Sequence, residues 1–302
     1  MTTFDARARM DDCDVARLEA KRIDESYIDF LVSGEPATVL KPNGSPLLVY
    51  KPDVLSPSLC DTAFDVFRRV KVGSQNRGAA AGELDADLLE VDGRPVEKRS
   101  ATRFHRIKKD GTVSRTAEAI KAPSGIVGFM DRDGRTPYCR QTAESLKNPA
   151  RFRRARPFIQ AVDRVFAETL PKPYAAQKAA IDSTHPDFKI RDTAFTTVTV
   201  NKNWQTAVHQ DDGDFAAGFG VMSVLDVGDY DGGYLVFPKY RVGVDMRRGG
   251  VCLADVHEFH GNTPILGNEE EYVRLSLVFY MREGMTECGS ALEESQRARQ
   301  NR

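Results

Sequence analysis

His209 and Asp211 stand one residue apart in the run Thr206-Ala-Val-His-Gln-Asp-Asp-Gly-Asp214. On an extended segment alternate side chains leave the same face, which puts these two Cα atoms about 6.6 Å apart at roughly 3.3 Å per residue. Two imidazoles and one carboxylate can occupy one face of a ferrous ion and leave the opposite face open for co-substrates. The second imidazole must come from a distant strand, from His260 or His257. His260 begins His-Gly-Asn-Thr-Pro-Ile265, the loop-like end of an apolar strand where ligands commonly sit, and is preferred; spacing alone leaves both open. Further on, Tyr272-Val-Arg-Leu-Ser-Leu-Val-Phe-Tyr280 alternates so that Arg274, Ser276, Val278 and Tyr280 share one face. A guanidinium on such an apolar strand needs a partner, because an unpaired buried charge is costly. A co-substrate carboxylate suits it through a bidentate pair, with a hydroxyl hydrogen bond from Ser276. An internal partner, Asp245 or Asp255, is the alternative. An HxD alone is no more than a polar strand end. Joined to a later histidine and an Arg-x-Ser strand, it points to an iron-dependent oxygenase.

The elements that must position these residues change character along the chain. Up to about residue 35 the apolar residues Val15, Leu18, Ile23, Tyr27 and Phe30 recur at helical spacing among charges. Leu47–Tyr50 reads as a strand between two prolines, and Leu59–Val70 as a helix. The Gly/Ala-rich residues 73–82 read as a mobile loop. Residues 98–121 form the most basic stretch, and a helix is expected over Phe152–Leu170 with Pro157 in its first turn. From Thr193 onward the texture is β-branched and alternating. Strands are expected over 193–200, 220–225, 234–237, 242–246, 251–255 and 273–281, separated by Gly/Asp turns. Many short strands with regular turns favour a sandwich or jelly roll, a mainly β fold with flanking helices. The expected division is an N-terminal helical and basic extension over 1–120, a core over 121–283 and a polar tail over 284–302.

At 302 residues the chain can bury one substantial core. A formal net charge of -1 argues against a uniformly basic nucleic-acid coat but allows a local basic patch. The five cysteines are scattered without a CxxC pair, so neither a disulfide framework nor a zinc cluster is expected and a reducing compartment fits. No signal peptide or membrane span is read, which predicts a soluble intracellular protein, cytoplasmic or nuclear, and a monomer.

Seven segments resemble the TET/JBP family of iron- and 2-oxoglutarate-dependent nucleic-acid base oxygenases. They are Gly128-Phe-Met-Asp-Arg132, Cys139-Arg-Gln-Thr142, Phe195-Thr-Thr-Val-Thr-Val-Asn201, His209-Gln-Asp-Asp-Gly-Asp214, Gly232-Gly-Tyr-Leu-Val-Phe-Pro238, His257-Glu-Phe-His-Gly-Asn262 and Arg274-Leu-Ser276. HxD and RxS are shared by many oxygenases, whereas GGYLVFP and HEFHGN point to the JBP-like branch. The resemblance implies a double-stranded β-helix core that oxidises the 5-methyl group of thymine or 5-methylcytosine. It implies that His209, Asp211 and His260 bind Fe(II), and that Arg274, aided by Ser276, binds 2-oxoglutarate; ascorbate is the alternative reductant. Asp214 falls where related enzymes read the base, there typically with asparagine, and Tyr280 is the second candidate for substrate contact. A carboxylate at Asp214 can accept from the N4 amino group of cytosine or from N3–H of thymine, which leaves the base open. A base inside a duplex cannot reach such an iron, so flipped or single-stranded DNA is the expected partner, with O2 as co-substrate. Arg99, Arg103, Arg106, Lys108 and Lys109 are candidates for tracking phosphates, with Phe104 stacking an exposed base. Arg151, Arg153, Arg154 and Arg156 could act likewise. The alternative is an oxygenase of the same superfamily acting on a free nucleoside, an amino acid or a protein side chain.

Overall fold

The computed structural model describes residues 1–84, 90–211 and 213–301; Asp212, inside the HQDDGD run, lies outside them. The β-branched, alternating segments pair into a nine-stranded sheet. At its centre the Val273–Tyr280 strand lies antiparallel between Gly220–Val227 and Thr197–Lys202. Val251–Ala254, Pro46–Lys51, Ala37–Leu40 and Thr2–Asp5 extend the sheet on one side, Ser124–Met130 and Arg140–Gln141 on the other.

The two faces of this sheet bury different partners. Leu275, Leu277 and Phe279 join Val198, Val200 and Leu253 against Phe158, Ile159 and Phe166 of the Pro149–Thr169 helix and Phe67 of the Pro57–Phe67 helix. On the opposite face Met222, Val224, Cys252 and Ala254 pack on Leu235, Phe237, Val242 and Val244. Those last four belong to a four-stranded sheet of Gly261–Asn262, Leu235–Phe237, Val242–Val244 and Phe30–Val32. Two face-to-face sheets with helices outside the larger one make the mainly β sandwich that the strand pattern predicts. The alternation of Val273–Tyr280 then matters for chemistry. Leu275, Leu277 and Phe279 are held by the helices, so Arg274, Ser276, Val278 and Tyr280 must look into the space between the sheets.

Several local expectations need correcting. No helix runs through the first 35 residues: Thr2–Asp5 and Phe30–Val32 are strands, paired in parallel with Ala37–Leu40 and Val242–Val244, and the helical pieces are short, an α-helix over Asp12–Ala16 and a 3-10 turn over Glu25–Tyr27. Sheet pairing with distant segments overrides the helical spacing there. The long helix begins at Pro149, with Pro157 inside it; Pro149 occupies its first turn, where a missing N–H costs nothing. The basic stretch, given no element above, is built of strands. Arg94–Lys98, Arg103–Ile107 and Val113–Ala119 form a small antiparallel sheet with Glu90–Val91. The polar tail closes in a helix, Ala291–Gln300, whose start is fixed by a reciprocal Ser290–Glu293 capping box. Cys139 and Cys288, expected to be free, form a disulfide across 149 residues of sequence. No described helix is long and apolar enough to cross a membrane.

Candidate active site

Between the two sheets lies a cavity of about 310 Å³ with His209, Asp211 and His260 in its wall. His209 and His260 exchange two backbone hydrogen bonds of 2.9 Å, an isolated bridge that sets their rings side by side with centroids 4.4 Å apart. The approach is tight: a Cβ on Gly261 would stand 3.1 Å from the Val208 nitrogen, which explains glycine after the histidine. His209 Nδ1 lies 2.8 Å from the Ala207 carbonyl and His260 Nδ1 2.9 Å from that of Glu258. A carbonyl only accepts, so each Nδ1 carries a proton and each Nε2 points inward, the atom free to bind a metal when the ring is neutral. Asp211 meets them with Oδ1 at 3.5 Å from His209 Nε2 and Oδ2 at 3.8 Å from His260 Nε2. One donor atom from each of the three residues lies within 4.8 Å of the others. Metal–ligand bonds of about 2.0–2.2 Å would span that gap, and a facial pair of imidazoles with a carboxylate is a ferrous donor set. The residues therefore fit the ion. His257 does not join them; its Nδ1 faces Asp255 Oδ1 at 3.1 Å.

The electrostatics favour a cation at this point. For Asp211, burial acts to raise the pKa, but the hydrogen bond and charge of His209, with the charge of Arg77, outweigh it and hold the carboxyl down at about 2. Burial and the neighbouring His209 depress His260 to about 4, so it is a neutral imidazole at physiological pH. His209 is shifted upward, because Asp211 outweighs burial. A metal requires a carboxylate and neutral imidazoles; Asp211 and His260 are in those states, and the proton that Asp211 draws to His209 is the one a bound ion displaces.

Arg274 is buried, and Asp245 and Asp255 are taken by Arg247 and Lys41. Its Nη2 donates to the Gly233 carbonyl at 3.0 Å, and its Nε is buried with no hydrogen-bond partner among the described residues. A guanidinium left this way has donors to offer an acid. Two residues along the same face, Ser276 opens onto the cavity, its hydroxyl 3.4 Å from Asn201 Nδ2. Arg274 itself is not among the residues lining the cavity, so of the pair the structure brings Ser276 to it.

Asp214 and Tyr280 also line the cavity. Burial and the charge of Asp211 push the Asp214 carboxyl well up, against the pull of Arg282. Tyr280 is raised by burial, and its hydroxyl stands 3.3 Å from Thr199 Oγ1. Sequence reasoning missed two cations here. Arg282 bridges to Asp214 along the backbone and donates to Asp131 Oδ1 at 2.5 Å, which gives the GFMDR segment its purpose. Extending the alternation of Arg274 to Tyr280 by one step would have found it. Arg77 reaches the cavity from residues 73–82, the segment read as a mobile loop. Its contacts, Thr199 Oγ1 at 3.5 Å and the Gly125 carbonyl at 3.4 Å, are long, and its Nε is buried without a partner among the described residues. The only sequence signal was a lone cation in a Gly/Ala run.

The basic segment needs revision. Phe104 is 0% exposed, packed with Leu84 and Val96, so it cannot stack on a base. Arg106 is engaged by Glu118 at 3.1 Å and Asp92 at 3.3 Å. Arg151 is paired with Glu144, and Arg154 with Asp65. Arg99, Arg103, Lys108 and Lys109 are exposed on the small sheet. That sheet is tied to the cavity wall through Gln75, which donates to the Ala119 carbonyl at 3.1 Å and directly precedes the lining residues Asn76 and Arg77.

Comparison with known proteins gives a consistent result. Residues 125–283 match the Tet_JBP family, described as the oxygenase domain of the 2OGFeDO superfamily. The bifunctional helicase and thymine dioxygenase JBP2 of Leishmania tarentolae is 34% identical over 189 residues, 62% of this chain and 17% of that protein. Thymine dioxygenase JBP1 of Trypanosoma brucei brucei is 37% identical over 174 residues, 56% of this chain and 20% of that one. The chain thus covers about a fifth of the length of these relatives. Among solved structures, NgTET1 in complex with 5mC DNA superimposes on 96% of this chain and 100% of its own with a TM-score of 0.55, at 11% identity, a likeness of fold.

Proposed function

Because this chain belongs to the TET/JBP family of the 2OGFeDO superfamily, whose cofactor and co-substrate are Fe(II) and 2-oxoglutarate, we propose that it oxidises the 5-methyl group of a pyrimidine, thymine or 5-methylcytosine, in DNA. The observation that carries this reading is one cavity holding a three-residue metal donor set together with a carboxylate and a guanidinium, Asp214 and Arg282. In it His209, Asp211 and His260 hold the iron, and Arg274 with Ser276 holds the distal carboxylate of 2-oxoglutarate. Bound there, iron and 2-oxoglutarate with O2 supply the oxidising power to break a methyl C–H bond.

The protein's own residues do the rest by placement. Asp214 and Arg282 orient the base: the guanidinium donates to a ring carbonyl oxygen, while Asp214 accepts from N3–H or N4 when ionised and donates when protonated. Tyr280, fixed against Thr199, forms the wall beside them. A methyl group reaches the metal donors only from a base outside the stack, so the substrate is flipped or single-stranded. Arg99, Arg103, Lys108 and Lys109 are proposed to bind the flanking phosphates.

The test is to incubate the protein with Fe(II), 2-oxoglutarate and methylated DNA, with ascorbate replacing 2-oxoglutarate in a parallel arm, and to analyse the digested nucleosides by mass spectrometry. A hydroxymethyl product from thymine or from 5-methylcytosine is expected and identifies the base. Succinate production with every base unchanged would move the substrate outside DNA.

A further inference from the structure

Asp255, Val256, His257 and Glu258 form a turn between the end of the Val251–Ala254 strand and His260. Three successive carbonyls of that turn face the metal donors. Val256 accepts from the Asp211 amide at 3.0 Å, His257 from the Gln210 side chain, and Glu258 from His260 Nδ1 at 2.9 Å. One short piece of backbone thus sets the position of Asp211 and the orientation and tautomer of His260.

The turn is itself clamped from outside the family-matched region. Lys41 follows the Ala37–Leu40 strand, in a tight connection closed by its own amide on the Ser45 carbonyl at 2.7 Å. Its ammonium lies 2.7 Å from Asp255 Oδ2 and 3.3 Å from Glu258 Oε1, with the lysine side chain only 15% exposed. Tyr240 adds a hydrogen bond of 2.9 Å to the same Glu258 oxygen, and the Asp255 amide donates to Leu47 in the neighbouring strand at 2.9 Å. Without the ammonium, two partly buried carboxylates at the ends of one turn would repel each other, with the Tyr240 hydroxyl and the His257 ring as their remaining side-chain partners.

We propose that Lys41 is a positioning residue for the metal site, acting through the Asp255–Glu258 turn to hold Asp211 and His260 in register. This rests on the reading of His209, Asp211 and His260 as iron ligands. Groups that orient a ligating histidine through its second nitrogen typically change metal affinity about 10–100-fold when removed, and Lys41 stands one step further out, at the low end of that range.

The full chain, stripped of metal, is titrated with Mn(II) by calorimetry as wild type, Lys41→Met, Lys41→Arg and His260→Ala, with thermal unfolding of each metal-free protein alongside. Lys41→Met is expected to bind Mn(II) about 10-fold more weakly and Lys41→Arg to recover most of that loss. At saturating metal, kcat returns towards wild type, a separation that general loosening of the fold would not give. Mn(II) affinity unchanged in Lys41→Met overturns the proposal; should that variant lose its fold, Tyr240→Phe is read in its place with the same two outcomes. His260→Ala separates the levels: if it too binds Mn(II) normally, the ligand assignment has failed, not the role of Lys41 alone.

Discussion

Arg274 shows what a single residue can and cannot reveal. Its two-residue spacing from Ser276 on an alternating strand was legible, because strand geometry alone puts both on one face. That its guanidinium is left with the Gly233 carbonyl as a partner and a bare Nε depends on a loop some 40 positions away, which no local pattern encodes. Losing a charged hydrogen-bonded pair costs about 1.5–3 kcal/mol, so Arg274→Met should raise the KM for 2-oxoglutarate by roughly 10–150-fold. Mn(II) affinity of the metal-free protein should stay the same, and steady-state kinetics with calorimetry checks both. Arg77 makes the complementary case. Arg77→Gln keeps a donor but removes the charge facing Asp211, and should weaken turnover of the nucleic-acid substrate by about 10-fold or more, measured as kcat/KM at saturating 2-oxoglutarate. Arg77 and Lys41 escaped sequence reasoning for one physical reason: each acts across more than a hundred residues, where spacing carries no signal.

Among the elements, the strands that build the site were readable because one face is apolar and the other is not. Leu275, Leu277 and Phe279 alternate with Arg274, Ser276 and Tyr280, and a one-residue slip in register would exchange the two sets. The N-terminal strands were not readable, since Thr2–Asp5 and Phe30–Val32 owe their form to parallel partners brought in by the fold. The disulfide was equally hidden: Cys139 and Cys288 pair across 149 residues, and an odd number of scattered cysteines gives no pairing pattern. The C-terminal helix permits a prediction with a defined sign. Glu294 accepts from Arg132, Arg297 and the amides of Cys139 and Gly289. Burial would raise its pKa, but the Arg132 hydrogen bond and those amides outweigh burial and hold it at about 2 against an ordinary 4.5. A carboxyl depressed in the folded state stabilises above its unfolded pKa and loses that contribution as pH falls through the folded one. The stability gap between wild type and Glu294→Gln, followed by urea unfolding, should be full above about pH 5 and shrink between about pH 4.5 and 2.

For the molecule as a whole, the near-neutral net charge conceals an uneven distribution: exposed cations gather on a small sheet that is tied to the cavity wall through Gln75. The sequence reading offered Phe104 and Arg106 beside Arg99, Arg103, Lys108 and Lys109 for contact with DNA; the burial and ion pairs of the first two follow from a small sheet it did not foresee. Replacing Arg99, Arg103, Lys108 and Lys109 together by alanine should weaken DNA binding and flatten its salt dependence by up to about four phosphate contacts. Oxidation of a free methylated nucleoside should be left unchanged. Binding isotherms at several salt concentrations decide it.

The most direct test of methyl oxidation at this site is isotopic. Methylated DNA is incubated under 18O2 with Fe(II), 2-oxoglutarate and either wild-type protein or His209→Ala, and the nucleosides are resolved by mass spectrometry. One 18O atom is expected in a hydroxymethylpyrimidine made by the wild type, one in the accompanying succinate, and neither product from His209→Ala. Labelled succinate from the wild type with every pyrimidine methyl group intact would contradict methyl oxidation at this site.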